Sequence, residues 1–506
     1  MLFNSLGFLL FYLPFVVVGF FWLGRLNQTY AAAWLAVASI FFYGYWDSRY
    51  LPLLCGSILL NYWAGLRINQ AKGVNRKYWL TFAVSANLLL LAYYKYADFF
   101  IVSLNGLANA GIPVLNILLP IGISFFTFTQ IAFLVDTFQG KAKEYRLVHY
   151  ALFVSYFPHL IAGPVLHHRE MMPQFAESTN YRPSASNTAI GLSIFVIGLA
   201  KKVLVADSIA PMANSVFSPG AHPQFIEAWI GVLAYTFQLY FDFSGYSDMA
   251  IGLSRLFGIR LPLNFNSPYK AENISEFWRR WHMTLSRFLR DYLYIPLGGN
   301  RSGTVGRYRN LLITMLLGGL WHGAGWTFFV WGGLHGIYLV VHHAWQGLTR
   351  RIGWAPGRGW AMIGRIITFV SVVFAWVFFR AVDFTTASDI IEGMLGMNGI
   401  SLPSFAKSYD DLFHAMGFQP VFDGILWIDK FGMAMLFGAM ILAWFAPNTQ
   451  ELFRRFEPCL EKIPQPVTVP GLVWQPSARW ALVLSLLFCT CMLNLNRPSE
   501  FLYFQF

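Results

Sequence analysis

Long apolar runs recur along nearly the whole chain, and they restrict the possible fold more than any other feature of the sequence. The first run, GFLLFYLPFVVVGFFWLG at residues 7–24, has no basic residue before it and no small-residue cleavage site after it. It therefore predicts a membrane span rather than a signal peptide. We predict an all-α polytopic membrane protein with about 11–12 spans, since about 20 apolar residues cross a hydrocarbon core. The further runs begin near Tyr30, Leu51, Tyr78, Val114, Leu152, Ala189, Phe225, Leu311, Trp360, Phe431 and Trp480.

The composition excludes an ordinary soluble protein. The chain has 506 residues, of which 56% are hydrophobic and only 12% are charged, whereas soluble chains carry about 25% charged residues. The formal net charge is +12, but most basic residues lie in loops between the apolar runs, where the positive-inside rule and anionic lipid account for them. No nucleic-acid-binding motif accompanies this charge. We therefore expect membrane lipid, and not nucleic acid, as a partner.

The four cysteines indicate neither a metal site nor a disulfide. Cys55, Cys459, Cys489 and Cys491 lack the spacing of metal ligands or of disulfide pairs, and three of them lie in or beside apolar runs. A free cysteine in such a place behaves as a small buried hydrophobic residue. We predict that the chain binds no metal.

Three basic loops predict the orientation of the chain. They occupy residues 66–79, 264–311 and 451–479, and clusters of Lys and Arg mark cytoplasmic loops. Three predicted spans precede the first loop and one follows the last, so both termini are expected on the extracytoplasmic side. We expect a single membrane domain over residues 1–496, with its core at residues 110–380.

The last ten residues, 497–506, form a separate aromatic tail in this prediction. The tail ends in FLYFQF, which is too short to span a membrane and too apolar to prefer water. Tyr503 lies seven residues beyond Asn496, and an extended chain of that length covers about 23 Å. A tail inserted from the outer face could therefore reach the middle of the membrane.

One histidine lies in the middle of an apolar run. His322 follows Trp321 in LLITMLLGGLWHGAGW, and the glycines on both sides let a backbone or a ligand approach closely. Polar residues at membrane depth are costly and tend to face the interior of the bundle. The spacing alone leaves two interpretations open, a hydrogen bond to a neighbouring helix or a functional group. His335, near the end of the same run, is interpreted as structural.

Basic and aromatic residues are interleaved over residues 277–301. The pattern FWRRWHMTLSRFLRDYLYIPLGGNR is typical of an amphipathic helix lying at the cytoplasmic interface, and it includes His282. Arg279, Arg280 and Arg290 could bind phosphate groups bidentately or contact lipid headgroups. This stretch alone favours lipid contact.

Residues 238–252, QLYFDFSGYSDMAIG, place Asp242, Ser244 and Asp248 in an apolar setting. Buried carboxylates need partners. We expect the two aspartates to pair with the three arginines just named, in preference to lining a wet cavity. The stretch FPHLIAGPV puts His159 between a proline and a Gly-Pro pair, which predicts a broken or re-entrant helix.

Four stretches together resemble the membrane-bound O-acyltransferase (MBOAT) family: residues 277–301, WHGAGW around His322, QLYFDFSGYSDMAIG and FPHLIAGPV. The likeness extends from Met1 to about Arg380. Within the family, the stretches resemble the bacterial branch of the alginate, cellulose and peptidoglycan O-acetylation proteins and the teichoic-acid D-alanylation membrane protein. The resemblance implies a ring of about 11–12 transmembrane helices, with re-entrant and interfacial helices around a central tunnel.

The resemblance also implies roles for individual residues. His322 matches the catalytic histidine of the family, and His282 matches its second recurrent polar position. FLYFQF is similar to an aromatic C-terminal motif of this branch, whose tyrosine, here Tyr503, is proposed as an acyl relay. The residues expected to bind donor or substrate are Arg279, Arg280, Arg290, Asp242, Trp321 and Ser244.

In this branch the membrane protein takes an acyl group from a cytoplasmic thioester, and a separate extracytoplasmic transferase, often of the SGNH-hydrolase type, places it on a polymer. We therefore expect an O-acyltransferase of a bacterial cytoplasmic membrane. It would move acetyl from acetyl-CoA, or from an acyl carrier protein thioester, through Tyr503 to such a partner. No permanently bound cofactor is expected, and other polysaccharide-secretion proteins are further candidate partners. The final polymer stays open.

Three other interpretations are compatible with the sequence. Acetyl could pass directly to polysaccharide, with Tyr503 only structural. A transporter or flippase of an acylated carrier would also suit broken helices and intramembrane carboxylates, although the sequence shows no internal inverted repeat. A scaffold that docks the external enzyme would make His322 dispensable.

Overall fold

The structure, a computed structural model, describes residues 1–144, 146–161, 163–301, 303–354, 357–417, 421–422, 424–425, 430–462, 472–496 and 502. Helices form the regular secondary structure of these residues, and no strand occurs among them. The α-helices are α1 (Leu13–Leu26), α2 (Gln28–Gly44), α3 (Leu51–Gln70), α4 (Gly73–Ala108), α5 (Ile123–Phe138), α6 (Leu147–Ser155), α7 (Phe157–Leu160), α8 (His168–Ala176), α9 (Ala185–Ala200), α10 (Asp207–Val216), α11 (Phe225–Leu256), α12 (Ile274–Trp278), α13 (Met283–Leu289), α14 (Gly303–His322), α15 (Trp326–Arg351), α16 (Arg358–Arg380), α17 (Phe384–Met394), α18 (Asp410–Ala415), α19 (Lys430–Trp444), α20 (Thr449–Leu452) and α21 (Ala478–Asn494). Turns of π-helix lie at Phe8–Tyr12, Lys201–Ala206 and Arg290–Tyr294.

Long apolar helices confirm the predicted all-α membrane class. Within the described ranges, four helical stretches are long and apolar enough to cross a membrane: Phe8–Leu26, Ser48–Gln70, Ala185–Val216 and Gly359–Arg380. The helices α5, α19 and α21 are also apolar but shorter. The prediction of about 11–12 spans counted apolar runs, and several of those runs fold into helices that are short, broken or interrupted by charge.

The apolar run near Val114 does not begin a helix, which corrects one predicted span. Residues 109–120 have no regular structure, and α5 begins only after them. The carboxylate of Asp98 accepts hydrogen bonds of 2.8 Å from the backbone N–H groups of Leu115 and Ile117. These bonds satisfy donors that a helix would pair internally, so the segment keeps an irregular path.

The predicted break at FPHLIAGPV is present in the structure. The helix α6 ends at Ser155, Tyr156 leaves the helical conformation, and α7 is a single turn. The ring of His159 is buried and its Nε2 lies 3.0 Å from the carbonyl oxygen of Phe153. His159 therefore satisfies a backbone group at the break, which is a structural role.

The chain divides into two compact units. Unit 1 comprises Met1–Leu199, Tyr246–Asn264 and Thr449–Leu495, and unit 2 comprises Ala200–Gly245, Phe265–Asn448 and Asn496–Phe506. The boundary passes through α11, which contributes its first part to unit 2 and its last part to unit 1.

Polar side chains connect the helices of unit 1. Asn61 of α3 and Asn87 of α4 exchange side-chain hydrogen bonds of 3.1 and 2.6 Å. Gln130 of α5 donates a bond of 2.9 Å to the hydroxyl of Ser57 on α3. All four side chains are buried, and interhelical hydrogen bonds of this kind supply association energy that apolar contact alone does not give in a membrane.

Glycines bring two helices of unit 2 into close contact. A Cβ atom added to Gly319 of α14 would collide with the carbonyl oxygen of Phe328, and one added to Gly332 of α15 would collide with that of Met315. Only glycine permits this approach. The close packing fixes the last turn of α14, which ends in His322, against the first turns of α15.

Candidate active site

Two buried histidines lie close together in unit 2. The ring centroids of His282 and His322 are 6.2 Å apart, and the rings are inclined by 62°. His322 is the last residue of α14, whereas His282 lies in the turn before α13. Their side chains are buried. The structure thus brings together the two histidines that the sequence singled out separately.

His282 occupies this position because the chain leaves the helical path at that residue. Its φ angle is +41°, in the left-handed region, which non-glycine residues seldom adopt. Its carbonyl oxygen then accepts the N–H of Ser286 at 2.9 Å, which begins α13. A strained backbone at a buried polar residue is a common feature of functional sites.

The same break corrects the prediction for residues 277–301, which is not one amphipathic helix at the interface. The segment is divided into the end of α12 at Trp278, the turn with His282, α13 and the π-helical turn Arg290–Tyr294. Periodicity suggested a continuous helix, but the left-handed residue interrupts it. His282 consequently points into the protein and not along an interfacial face.

Aromatic rings enclose His322. Its ring centroid lies 5.0 Å from that of Trp321, 5.1 Å from that of Trp331 and 5.2 Å from that of Phe379, all in edge-on arrangements. Trp321 is buried and also lies 6.1 Å from His282. The predicted site residue Trp321 therefore belongs to the histidine cluster, and this apolar enclosure keeps water from the imidazole.

The helix α11 supplies the other side of the cluster. The ring of Phe243 lies 4.9 Å from that of His282, nearly perpendicular to it. The predicted site residues Asp242 and Ser244 flank Phe243 in the sequence, and both are buried. Sequence reasoning missed Phe243, because one phenylalanine in an apolar run carries no signal of its own.

Asp242 pairs with a lysine, which corrects its predicted pairing with an arginine. The Oδ1 atom of Asp242 lies 2.6 Å from Nζ of Lys202, and Lys202 also lies 2.8 Å from Oδ1 of Asp207. Lys202 follows the apolar helix α9, in the π-helical turn. A lysine in an apolar run demands a carboxylate partner, and this signal could have identified it from the sequence.

Asp248 accepts hydrogen bonds from neutral side chains. Its carboxylate accepts hydrogen bonds from the hydroxyl of Thr449, at 2.6 Å, and from the amide of Gln450, at 3.0 Å. Both donors belong to unit 1 with Asp248. Hydrogen bonds to a charged group of this kind stabilise a buried carboxylate.

The three predicted arginines have different surroundings. Arg280 pairs with Glu276 at 2.7 Å, and Arg290 pairs with Asp291 at 2.7 Å. Arg279 is exposed. Binding of a phosphate-bearing donor by these residues stays a prediction, and the two pairs show that Arg280 and Arg290 already have carboxylate partners.

The predicted relay Tyr503 lies outside the described residues, but its neighbour Leu502 lies within them. Leu502 is 2% exposed, and its backbone N–H donates a hydrogen bond of 3.1 Å to Oδ2 of Asp242. The residue before Tyr503 is therefore attached to α11 at the position next to Phe243, which contacts His282.

His335 has the structural surroundings that the sequence predicted. It is fully buried, and its ring lies 4.8 Å from Trp331 and 5.1 Å from Trp278.

A separate cavity of about 620 Å³ lies along α15 and α16 and is lined by residues such as Trp345 and Trp360. None of the predicted site residues lines this cavity.

Comparisons with known proteins identify the family of this chain. The sequence pattern of the membrane-bound O-acyltransferase family matches residues 40–384. The chain is 42% identical to a peptidoglycan O-acetyltransferase of Helicobacter pylori, over 100% of this chain and 98% of that protein. It is 40% identical to a probable alginate O-acetylase of Pseudomonas putida, over the full length of both.

A more distant relative is a teichoic acid D-alanyltransferase of Bacillus subtilis, 28% identical over 54% of this chain and 71% of that protein. The family match covers more than half of the chain and includes both histidines of the cluster. The long apolar helices show a multi-pass membrane protein. The chain therefore belongs to the membrane-bound O-acyltransferase family and is a multi-pass membrane acyltransferase.

Proposed function

We propose that the chain moves an acetyl group from a cytoplasmic thioester, acetyl-CoA or an acyl carrier protein, to Tyr503 and then to an extracytoplasmic transferase of the SGNH type. That partner acylates a cell-surface polysaccharide or an exopolysaccharide. The protein resides in the bacterial inner membrane with both termini outside. The single observation that carries the proposal is the bond from the Leu502 N–H to Asp242, because it attaches the residue before Tyr503 beside Phe243 and the histidine pair.

The relatives support the reaction class and the acceptor class. Two of them are named for O-acetylation, one of peptidoglycan and one of alginate. The alignment with each of them extends over the whole length of this chain. A polymer outside the membrane cannot meet a cytoplasmic thioester directly, so an intermediate acceptor in the membrane is chemically useful.

A phenol suits the part of intermediate acceptor. The ordinary pKa of a phenol is about 10 and that of a thiol about 8.5, so phenolate and thiolate are comparable leaving groups. Transfer from a thioester to an aryl ester is then nearly balanced, and the next transfer to an alkyl hydroxyl runs downhill. An aliphatic serine in the same place would retain the acetyl group.

In the proposed reaction His322 is the general base. It accepts the proton of the Tyr503 hydroxyl while the oxygen attacks the thioester carbonyl carbon. The tetrahedral intermediate collapses, the C–S bond breaks, and the imidazolium returns the proton to the leaving thiolate. His282 stabilises the oxyanion, and the rings of Trp321, Trp331 and Phe379 exclude water that would hydrolyse the ester.

Mass spectrometry of the intact chain and of its C-terminal peptide, after incubation with isotopically labelled acetyl-CoA, tests the proposal. The wild-type chain should carry one label on its C-terminal peptide, and Tyr503→Phe and His322→Ala should carry none. His343→Ala, a half-buried histidine of α15 outside the cluster, is the matched control and should label normally. If acetylation of polymer in cells requires His322 but not Tyr503, and no label reaches the tail, the acetyl group passes directly and the relay is wrong.

A further inference from the structure

Three charged side chains form a buried cluster in unit 2. Lys202, Asp207 and Asp242 have side-chain exposures of 3%, 7% and 2%. Charges at membrane depth are costly and persist where they are paired or functional. Lys202 contacts one oxygen of Asp242, Oδ1. The other oxygen, Oδ2, can therefore accept a further hydrogen bond.

The helix geometry directs Lys202 toward α11. The stretch Ala185–Val216 is continuous, but Lys201–Ala206 is wound as a π-helix between α9 and α10. Such a widened turn changes the direction in which side chains point and is frequent at functional sites. In this case the ammonium group reaches Asp207 on its own helix and Asp242 on α11.

The two oxygens of Asp242 have different partners. Oδ1 lies 2.6 Å from the Lys202 ammonium, and Oδ2 accepts the N–H of Leu502 at 3.1 Å. A hydrogen bond to a charged acceptor is roughly twice as strong as one between neutral groups. The Lys202 ammonium favours the ionised form of the carboxylate and fixes its orientation, so the pair presents one oxygen to the backbone N–H of Leu502.

We propose that Asp242, oriented by Lys202, is a positioning residue that docks the C-terminal tail through the Leu502 N–H. This inference rests on the proposed function in so far as the docked tail delivers Tyr503. This hydrogen bond joins Leu502, the residue before Tyr503, to Asp242, the residue before Phe243 on α11. Phe243 in turn contacts His282. The same turn of α11 therefore contacts His282 and holds the tail, and such positioning raises the effective concentration of a nucleophile.

The buried side chain of Leu502 reinforces the backbone bond. It is 2% exposed, and the burial of an apolar side chain away from water is favourable. A backbone donor and an apolar side chain are thus recognised together. A variant that keeps the side chain apolar but removes the N–H separates the two contributions.

A carboxypeptidase removes Phe506 from the C-terminus, and intact mass spectrometry gives the rate of this removal. The rate measures docking of the tail independently of acetyl transfer. Leu502→Pro removes the N–H and leaves the charged cluster intact. The double variant Lys202→Met with Asp242→Leu removes the acceptor and its counter-charge, and Asp207 of the same cluster loses its bond to Lys202 as well. Leu502→Ile, which keeps the N–H and an apolar side chain, is the matched control.

We expect Phe506 to be released at least about tenfold faster from Leu502→Pro and from the double variant than from wild type, because a hydrogen bond to a charged group is lost. Leu502→Ile should stay within about threefold of wild type. The first-order rate of Tyr503 labelling by acetyl-CoA should fall in parallel. Thermal unfolding of each variant in detergent shows that the protein remains folded.

Two outcomes would overturn the inference. If folded Leu502→Pro and the folded double variant release Phe506 at the wild-type rate, Asp242 does not dock the tail. If release accelerates but Tyr503 is labelled at the wild-type rate, docking has no positioning role. A wild-type chain that is never labelled refutes the relay instead, and the release of Phe506 still decides whether Asp242 docks the tail.

Discussion

The imidazole rings of His282 and His322 lie with their centroids 6.2 Å apart in an edge-on arrangement. A left-handed turn holds His282, and the last turn of α14 holds His322. Each histidine depends on a different local structure, so substitutions can separate the roles of the two rings.

Substituting either histidine should slow acetyl transfer, each for a different chemical reason. His322→Gln should lower the rate of acetyl transfer by about 10²–10⁴-fold, because the general base is lost. His282→Asn, which tolerates the left-handed backbone, should lower the rate by about 10²–10³-fold through the loss of an oxyanion donor. Single-turnover labelling with acetyl-CoA measures both rates. Equal activity of His322→Gln and wild type would remove His322 from the mechanism.

The contact between α14 and α15 should be sensitive to one methyl group. Gly319→Ala adds a Cβ against the carbonyl oxygen of Phe328, and overpacking of this kind costs about 1–3 kcal/mol. Gly333→Ala is the control, since its added Cβ would lie 3.5 Å from the side chain of Leu316, an ordinary contact. Thermal unfolding in detergent should show a lower Tm for Gly319→Ala only. A similar Tm for both variants would mean that the helices separate at little cost.

The amide pair of unit 1 should show coupling. Asn87→Leu removes the two bonds between Asn61 and Asn87 and should destabilise the protein by about 1 kcal/mol. The double variant Asn61→Leu with Asn87→Leu should be less destabilised than the sum of the single changes, because both polar groups are removed. A double-mutant cycle of unfolding free energies gives the coupling directly. Strict additivity of the two changes would contradict the reciprocal bonds.

The loop between α5 and α6 should give a measurable pH dependence of stability. Burial opposes ionisation of Glu144, but hydrogen bonds from His149, His168 and the Arg146 N–H outweigh it and lower the pKa of Glu144 from 4.5 to about 2. A carboxyl whose pKa falls on folding stabilises the native state above its unfolded pKa. That stability is lost as the pH falls from about 4.5 toward about 2.

Glu144→Gln should therefore lower the Tm at pH 7, and the difference from wild type should shrink as the pH falls below 4.5. Melting curves between pH 7 and pH 3 measure this difference. Glu177→Gln, at an exposed position, is the control and should change the Tm little at any pH. A difference that is constant with pH would show that the effect of Glu144→Gln comes from packing and not from charge.

The sequence predicts the membrane class and singles out His322 as a candidate because both depend on local composition. Apolar runs of sufficient length predict helices in a membrane whatever their neighbours, and a histidine inside such a run is conspicuous. The break at His159 was also predictable, since Pro158 and the following Gly-Pro pair punctuate the helix.

The rest of the site depends on contacts that local patterns do not contain. The periodicity of residues 277–301 suits a helix, and only the left-handed backbone of His282 reveals the turn. The sequence favours nearby arginines as partners of Asp242, whereas the structure supplies Lys202 from another helix. Asp98 similarly determines the path of the irregular segment before α5 through backbone bonds that no pattern encodes.

The bond between Asp242 and the backbone of Leu502 makes the end of the chain comparable to a tethered ligand. A site that recognises a main-chain N–H and one apolar side chain does not require its ligand to be covalently attached. The tether supplies an effective concentration that is in the millimolar range for short flexible linkers. A chain shortened after Asn496 should therefore regain acetyl acceptance when millimolar synthetic FLYFQF peptide is added, with the acetyl ester forming on the free peptide.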